Sequence, residues 1–159
     1  FSNAIAVLSV ETSYKGIIRE TIDNLIMTKN QNIQILAETI IPVNDCILSK
    51  TTDALMKVAP CKFHGSSPNE VGNLCIIAHN YRRKGVFFSD VEKLAVGDIV
   101  EIQDLSQRTI QYEVYDIHTV IPGNVADTTQ KTNGRKEVTL ITCTDDSEQR
   151  IIVRCKEKI

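Results

Sequence analysis

The stretch VTLITCTDDSEQRIIVRC, Val138–Cys155, decides the predicted fold. Val138–Thr144 is β-branched and apolar, and Arg150–Cys155 is largely aliphatic, which is typical of two strands. Asp145–Glu148 between them holds the polar residue types that favour turns. The stretch therefore predicts a β-hairpin, and it places Cys143 where the first strand gives way to the turn and a side chain can reach solvent.

Short β-branched segments bounded by turn residues recur along most of the chain. Seven or eight such segments predict an all-β protein built as a closed or nearly closed antiparallel barrel. The alternation of apolar residues slips within Ile110–Ile121, and a β-bulge near Val114 would reconcile the two halves of that strand. The predicted strands are Ile33–Ala37, Ile40–Leu48, Asn73–Ala78, Asp98–Asp104, Thr109–Val120, Val138–Cys143 and Arg150–Cys155.

Three segments have helical rather than strand patterns. Tyr14–Lys29 carries apolar residues at helical spacing and predicts one amphipathic helix that packs on the barrel. Thr52–Val58 and Ser89–Leu94 predict two short helices, and Ser89 is the expected N-cap of the second. We therefore divide the chain into an N-terminal appendage, residues 1–32, and a barrel domain, residues 33–159; Ser2–Ala4 resembles an expression scar.

Composition excludes several classes of function. The 159 residues include 18 Lys and Arg against 20 Asp and Glu, with the basic residues scattered, so nucleic acid is not an expected partner. There is no Trp and only 5% of the residues are aromatic, which disfavours a base-stacking surface. No apolar run approaches the roughly 20 residues of a membrane-spanning helix.

The five cysteines do not form a familiar metal or redox pattern. No CxxC motif occurs, so neither a zinc ribbon nor a thioredoxin-type pair is indicated. Cys75 and Cys155 are interpreted as buried hydrophobic residues, and a disulfide between Cys46 and Cys61 is left open. A metal site built from Cys75, His79 and Cys143 is disfavoured because their spacing does not fit zinc, and no organic cofactor motif occurs.

A thiol attacks as a thiolate, so a catalytic cysteine needs a partner for its proton. His64 is assigned to a loop and His118 to the interior of a strand. His79 alone follows an apolar strand, LCIIA, at the same kind of strand-to-loop junction as Cys143. Arg150 opens the strand after the turn and is expected close to Cys143. The plainer interpretation is that Cys143 is inert and Arg150 is a solvated charge.

Three motifs in this order resemble the sortases, cysteine transpeptidases of Gram-positive cell surfaces. The first is a TLxTC strand followed by an arginine that opens the last strand, here Thr139–Cys143 and Arg150. The second is GNLCIIAHN, Gly72–Asn80, and the third is FFSDVEKLAVGDIVEI, Phe87–Ile102. The resemblance extends over roughly Ile33 to Lys156, and it implies a sortase-type β-barrel.

The resemblance also implies an activity. His79, Cys143 and Arg150 correspond to the family's catalytic triad, and Arg154 is the alternative arginine. The implied substrate is the C-terminal LPxTG-like sorting signal of a surface protein, which is cleaved through a thioacyl-enzyme. The implied acceptor is an amine of a peptidoglycan precursor or a pilin lysine. The family also implies an extracytoplasmic enzyme attached to the membrane by an N-terminal anchor that this sequence lacks.

Residues beside the triad are candidates for binding the substrate. Asn80, Ile141 and Thr142 adjoin the triad, and the polar loop Pro122–Lys136 is expected to wall the groove. That loop has no long helical insert, so the sequence is more similar to class A, D or E sortases than to class B. The alternatives are a cysteine hydrolase of the same signal peptide and a non-catalytic cell-surface binding barrel.

Overall fold

The computed structural model describes residues 32–36 and 43–159, with side chains described from Cys46 onward. The predicted helix Tyr14–Lys29 therefore lies outside the described residues. The strands are β1 Asn32–Leu36, β2 Val43–Cys46, β3 Cys61–His64, β4 Gly72–Ile77, β5 Ile99–Gln103, β6 Thr109–Val120, β7 Lys136–Cys143 and β8 Arg150–Glu157. One α-helix, α1 Asp53–Met56, and two 3₁₀ helices, Val91–Lys93 and Ala126–Thr128, complete the described elements.

The eight strands form one curved sheet in the order β2-β1-β5-β6-β8-β7-β4-β3. Its two edges meet next to Leu48, just beyond β2, which makes a parallel bridge with Cys61 at the start of β3. The Leu48 N–H donates to the Pro60 carbonyl at 2.9 Å, and the Lys62 N–H donates to the Leu48 carbonyl at 2.8 Å. The predicted all-β barrel is confirmed.

One pairing differs from the predicted antiparallel pattern. β4 pairs with β7 in parallel, whereas the other strand neighbours in the sheet are antiparallel. A parallel pair needs a crossover connection of a dozen or more residues, and β5 and β6 lie within the segment that joins β4 to β7. Local sequence patterns define strands but not the partners of strands so far apart, so this pairing was not predictable from them.

Several local predictions are confirmed and others are wrong. The bulge predicted near Val114 is present as a register shift between Val114 and Asp116. The sequence predicts a loop around His64, but His64 is the last residue of β3. Ser89 does not cap the 3₁₀ helix; its hydroxyl accepts from the Tyr81 N–H at 2.9 Å, because the preceding loop folds back onto it.

The two faces of the central strands have different roles. The main hydrophobic core contains Leu140 of β7 and Ile151, Val153 and Cys155 of β8, all at most 4% exposed. Cys155, which the sequence predicts to be a buried hydrophobic residue, is therefore part of the core. The opposite face carries Arg150, Ile152 and Arg154, and it is the face on which the candidate catalytic residues lie.

Gly65 directly follows β3, packs against Asn73 of β4 and provides the first prediction. Its φ is +90°, and an added Cβ would clash with the Asn73 carbonyl oxygen and the Gln130 side chain. We expect Gly65→Ala to lower the free energy of unfolding by at least about 2 kcal/mol, measured by urea denaturation. Gly134 is the control, since its φ is +77° with no atom within 4 Å of the added Cβ, and Gly134→Ala carries only the backbone penalty of about 1–2 kcal/mol. Equal losses in the two variants would contradict the predicted clash.

Candidate active site

The parallel pairing of β4 and β7 places His79 next to Cys143. The register runs from Gly72 opposite Lys136 to Ile77 opposite Ile141. The Ala78 N–H donates to the Ile141 carbonyl at 3.2 Å, so the ladder continues beyond the end of β4. Continued by two residues, this register would set His79 opposite Cys143, and residues directly opposite each other project from the same face of a sheet.

Arg150 is next to Cys143 on the other side. The two are Cα partners in the β7–β8 hairpin. The Thr144 N–H donates to the Gln149 carbonyl at 3.1 Å, so Thr144 and Gln149 are a hydrogen-bonded pair. The next pair, Cys143 and Arg150, is therefore not hydrogen-bonded, and side chains approach most closely in such pairs. The Arg150 guanidinium donates to the carbonyls of Gln149 at 3.1 Å and Ser147 at 3.5 Å.

An apolar floor lies on the same face as these three residues. Cys75, Ile141 and Ile152 are buried there and pack with the half-buried Ile77 and Val120. Ile141 is two residues before Cys143 and Ile152 is two residues after Arg150, so the floor continues directly from the catalytic candidates. A thiol at the edge of an apolar surface can meet an extended peptide whose side chains cover that surface.

The other two candidates for substrate binding are engaged by the protein itself. The Asn80 amide nitrogen donates to the Cys143 carbonyl at 3.0 Å and to the Asp145 carboxylate at 2.9 Å. The Thr142 side chain is 1% exposed, and its hydroxyl donates to the Ala78 carbonyl at 2.8 Å. Both side chains therefore connect β7 or its turn to the segment around His79, and their role in substrate binding stays a prediction.

Two aromatic residues beside His79 were not predicted from the sequence. The Tyr81 ring is 5.3 Å from the His79 imidazole and 5.7 Å from the Phe87 ring. Asn80 and Phe87 form an antiparallel bridge, which turns this loop back towards the end of β4. Tyr81 within NYRRKG and Phe87 just after it were the available signal in the sequence, although sequence spacing alone does not show that the loop closes on itself.

His118 occupies a different part of the same face. Its Nδ1 lies 2.9 Å from Asp116 and its Nε2 lies 3.0 Å from Asp127. Partial burial works against protonation, but the hydrogen bond and charge of Asp127, followed by those of Asp116, prevail and raise the pKa of His118. His118 is the Cα partner of Ile152, whereas Arg150 pairs with Val120, so the imidazole is one side-chain row away from the Cys143–Arg150 pair.

Arg154, the alternative catalytic arginine, is bound by the same group of carboxylates. We call Asp116, His118, Asp127, Glu137 and Arg154 the second cluster. Its guanidinium lies 3.1 Å from Glu137 and 3.9 Å from Asp127, and it stacks 5.3 Å from the Tyr115 ring centroid. Its Cα partner in β7 is Thr139, four residues before Cys143. Its contacts therefore place Arg154 in a structural ion-pair network. Arg150, in contrast, lies at the sheet edge that carries the Cys143 thiol.

The loop from β6 to β7 is fixed against β4. The Gln130 amide donates to the Asn73 carbonyl at 2.9 Å and its oxygen accepts from the Asn73 N–H at 3.0 Å. The Asn73 amide donates to the carbonyls of Asp127 at 2.8 Å and Thr129 at 3.2 Å. The loop's only regular element is the 3₁₀ helix Ala126–Thr128, so it lacks a long helical insert, as predicted.

Burial separates three of the other thiols, those of Cys61, Cys75 and Cys155, from Cys143. Cys143 is half-buried at the sheet edge. Burial raises the pKa of Cys75 to about 12 and that of Cys61 to about 12, and it also raises the pKa of Cys155. Cys61 is a free thiol, so the disulfide with Cys46 that the sequence left open is not formed. Among the described residues, no three His, Cys, Asp or Glu side chains are grouped so that they could hold a metal ion.

Comparison with known proteins agrees with this geometry. The family model of the sortase domain matches residues 35–158. The chain belongs to the sortase family. Sortase A from Bacillus anthracis is 34% identical over 87 residues, which are 52% of this sortase and 39% of that relative, so the match spans less than half of the relative's length.

Solved sortase structures share the fold. This sortase superposes on a Clostridium perfringens sortase D5 transpeptidase with a TM-score of 0.71 and 27% identity, covering 95% of this chain and 99% of the other. Listeria monocytogenes sortase A, with a TM-score of 0.71 and 18% identity, covers 83% of this chain and 88% of its own, and it shows the fold alone.

A second family model, that of prephenate dehydratase, matches residues 2–65. The match includes fewer than half of the residues and ends before β4, so it contains none of the candidate catalytic residues. It covers the predicted N-terminal appendage and overlaps the start of the sortase match. In the described part of the chain, no helix combines the length and the apolar character needed to span a membrane.

The different environments of the thiols lead to a labelling prediction. We expect iodoacetamide to modify Cys143 well before Cys75 and Cys155 in the folded protein, because buried thiols with raised pKa values hold little thiolate. Peptide mapping by mass spectrometry at successive times measures the order. The labelled peptide that disappears in Cys143→Ala is the one that contains Cys143. Rapid labelling of Cys75 would show that its strand does not direct this side chain into the floor.

Proposed function

We propose that this sortase is a cysteine transpeptidase that cleaves an LPxTG-like sorting signal and transfers the acyl part to an amine. The observation that supports the proposal is that Arg150 is the Cα partner of Cys143 and that His79 follows β4, the parallel neighbour of β7, at the same sheet edge. The apolar floor beside that edge suits an extended peptide with aliphatic side chains. Ile141 belongs to the floor, and the loop Pro122–Lys136 lies at its side.

In the first half-reaction, the Cys143 thiolate attacks the carbonyl carbon before the cleaved bond. The carbonyl π electrons move to oxygen, and Arg150 donates to the resulting oxyanion. The present hydrogen bonds of Arg150 go to exposed main-chain carbonyls, so exchanging them for a substrate oxygen costs little. The C–N bond then breaks, the imidazolium of His79 protonates the departing amine, and a thioester remains on Cys143.

In the second half-reaction, an amine attacks the thioester carbonyl. His79, now neutral, takes a proton from the amine, and Cys143 leaves as a thiolate, which restores the starting pair. Aminolysis outcompetes hydrolysis when the amine is held in position, because binding removes the entropy barrier of a second collision. We infer that the acceptor is an amine of a peptidoglycan precursor or of a pilin lysine, and that the enzyme works at the cell surface.

The direct test is cleavage of a fluorescence-quenched LPxTG peptide with and without triglycine as the amine. We expect wild type to cleave the peptide and to form the triglycine adduct, which mass spectrometry detects. Cys143→Ala and His79→Ala should each remove nearly all turnover, while His118→Ala keeps most of it because His118 is held in the second cluster. Cleavage without adduct would identify a hydrolase, and an unreactive Cys143 with no turnover would indicate a binding barrel.

The two arginines give a sharper comparison. Arg150→Ala should lower kcat/KM by roughly 10²–10³, the loss typical of one missing oxyanion donor. Arg150→Lys should recover only part, because an ammonium replaces a two-pronged guanidinium. Arg154→Ala removes the same side chain four residues away and should mainly reduce stability, so the rates are normalised to the folded fraction measured by circular dichroism. The reverse order of activities would assign the catalytic role to Arg154.

A further inference from the structure

The Cys143 carbonyl faces a gap in the β-sheet. Antiparallel pairing directs the hydrogen-bonding groups of successive residues alternately to either side of a strand. Thr144 bonds towards β8, so the main-chain groups of Cys143 point the other way, towards β4. However, β4 ends at Ile77, two residues before the position of His79.

The side chain of Asn80 fills that gap. Ala78 N–H bonds to the Ile141 carbonyl, so a continued parallel ladder would next bring the Asn80 N–H to the Cys143 carbonyl. The Asn80 main chain instead bridges to Phe87, and its side-chain amide donates to the Cys143 carbonyl at 3.0 Å. The side chain thus takes the place of the backbone donor that the end of the strand removed.

Asn80 is also held in place itself. Its amide nitrogen donates to Asp145 at 2.9 Å, and its oxygen accepts from the Arg82 N–H at 2.8 Å. Asp145 belongs to the turn after Cys143, and Arg82 belongs to the loop after His79. One side chain therefore connects the segment that follows the imidazole to the segment that follows the thiol.

We propose that Asn80 is a positioning residue that fixes the distance and orientation between His79 and Cys143. This inference rests on the proposed function, in which those two residues exchange a proton. It also separates Asn80 from the substrate-binding role predicted from the sequence, because loss of a substrate contact acts mainly on KM whereas misalignment of the pair acts mainly on kcat.

The test uses two substitutions at Asn80 and one matched control. Asn80→Ala removes the donor, and Asn80→Asp keeps the shape but replaces the amide with a carboxylate beside Asp145. The control is Gln111→Glu. The Gln111 amide of β6 donates to the Glu101 carboxylate of β5 at 2.7 Å, and this exposed hydrogen bond lies away from the site. The control makes the same change, an amide to a carboxylate that faces another carboxylate, without touching Cys143.

Two readouts are measured on each folded variant: peptide turnover and the pH profile of Cys143 alkylation. We expect both Asn80 variants to lose about 10- to 100-fold in kcat, the scale of a small misplacement of reacting groups, with KM changed by less than about threefold. The pH profile of Cys143 alkylation should change as well, because only the thiolate is alkylated and a displaced imidazole no longer receives the proton of the thiol in the proposed reaction. Gln111→Glu should keep the wild-type kcat and profile.

Each of the remaining outcomes would overturn either the positioning role of Asn80 or the proposed transpeptidase function. A wild-type kcat and pH profile in Asn80→Ala, even with a lower melting temperature, would show that Asn80 only stabilises the fold. A rise in KM alone would restore the substrate-binding interpretation. An inactive wild type with an unreactive Cys143 would overturn the proposed function itself. That result comes from the wild type alone and does not depend on the Asn80 variants. Asn80→Ala introduces no new charge, so it provides the result if Asn80→Asp does not fold.

Discussion

The candidate active site depends on the parallel pairing of β4 with β7. In an antiparallel pair, the end of one strand lies beside the start of the other, and the residue after β4 would be far from the end of β7. Parallel pairing brings both carboxyl ends to one edge, where His79 follows one strand and Cys143 ends the other. The histidine and the thiol therefore lie at the same sheet edge although 63 residues separate them in the sequence.

The hairpin of β7 and β8 places Arg150, the third candidate catalytic residue, through local geometry alone. A short turn joins the strands, so their register sets Arg150 opposite Cys143. The period of two along each strand then divides the side chains between two environments. Val153 and Cys155 enter the main core, whereas Ile141 and Ile152 form a second apolar layer beneath the thiol. The same strands thereby supply both the core and the floor of the site.

Beyond the last regular pair of β4, side chains continue the connection to β7. Thr142 donates to the Ala78 carbonyl from within the barrel wall, and Asn80 donates to the Cys143 carbonyl at the rim. A side-chain bond leaves the main chain of the loop free to turn, which a continued ladder would not allow. That arrangement lets the chain leave the sheet at His79 and still keep the imidazole close to the thiol. The second cluster, with His118 and Arg154, is held separately by its own carboxylates.

The sequence by itself determined every described strand except β3, the β7–β8 hairpin with Arg150 close to Cys143, the bulge near Val114 and the burial of Cys155, because these follow from local periodicity and turn chemistry. The position of His79 after an apolar strand, together with motif resemblance, singled out this histidine. Only the tertiary structure decided the parallel partner of β4, strand β3, the return of the loop onto Ser89 and the links made by Asn80 and Thr142. The physical reason is that hydrogen bonds between distant segments depend on how the barrel closes, and local side-chain patterns carry no information about that closure.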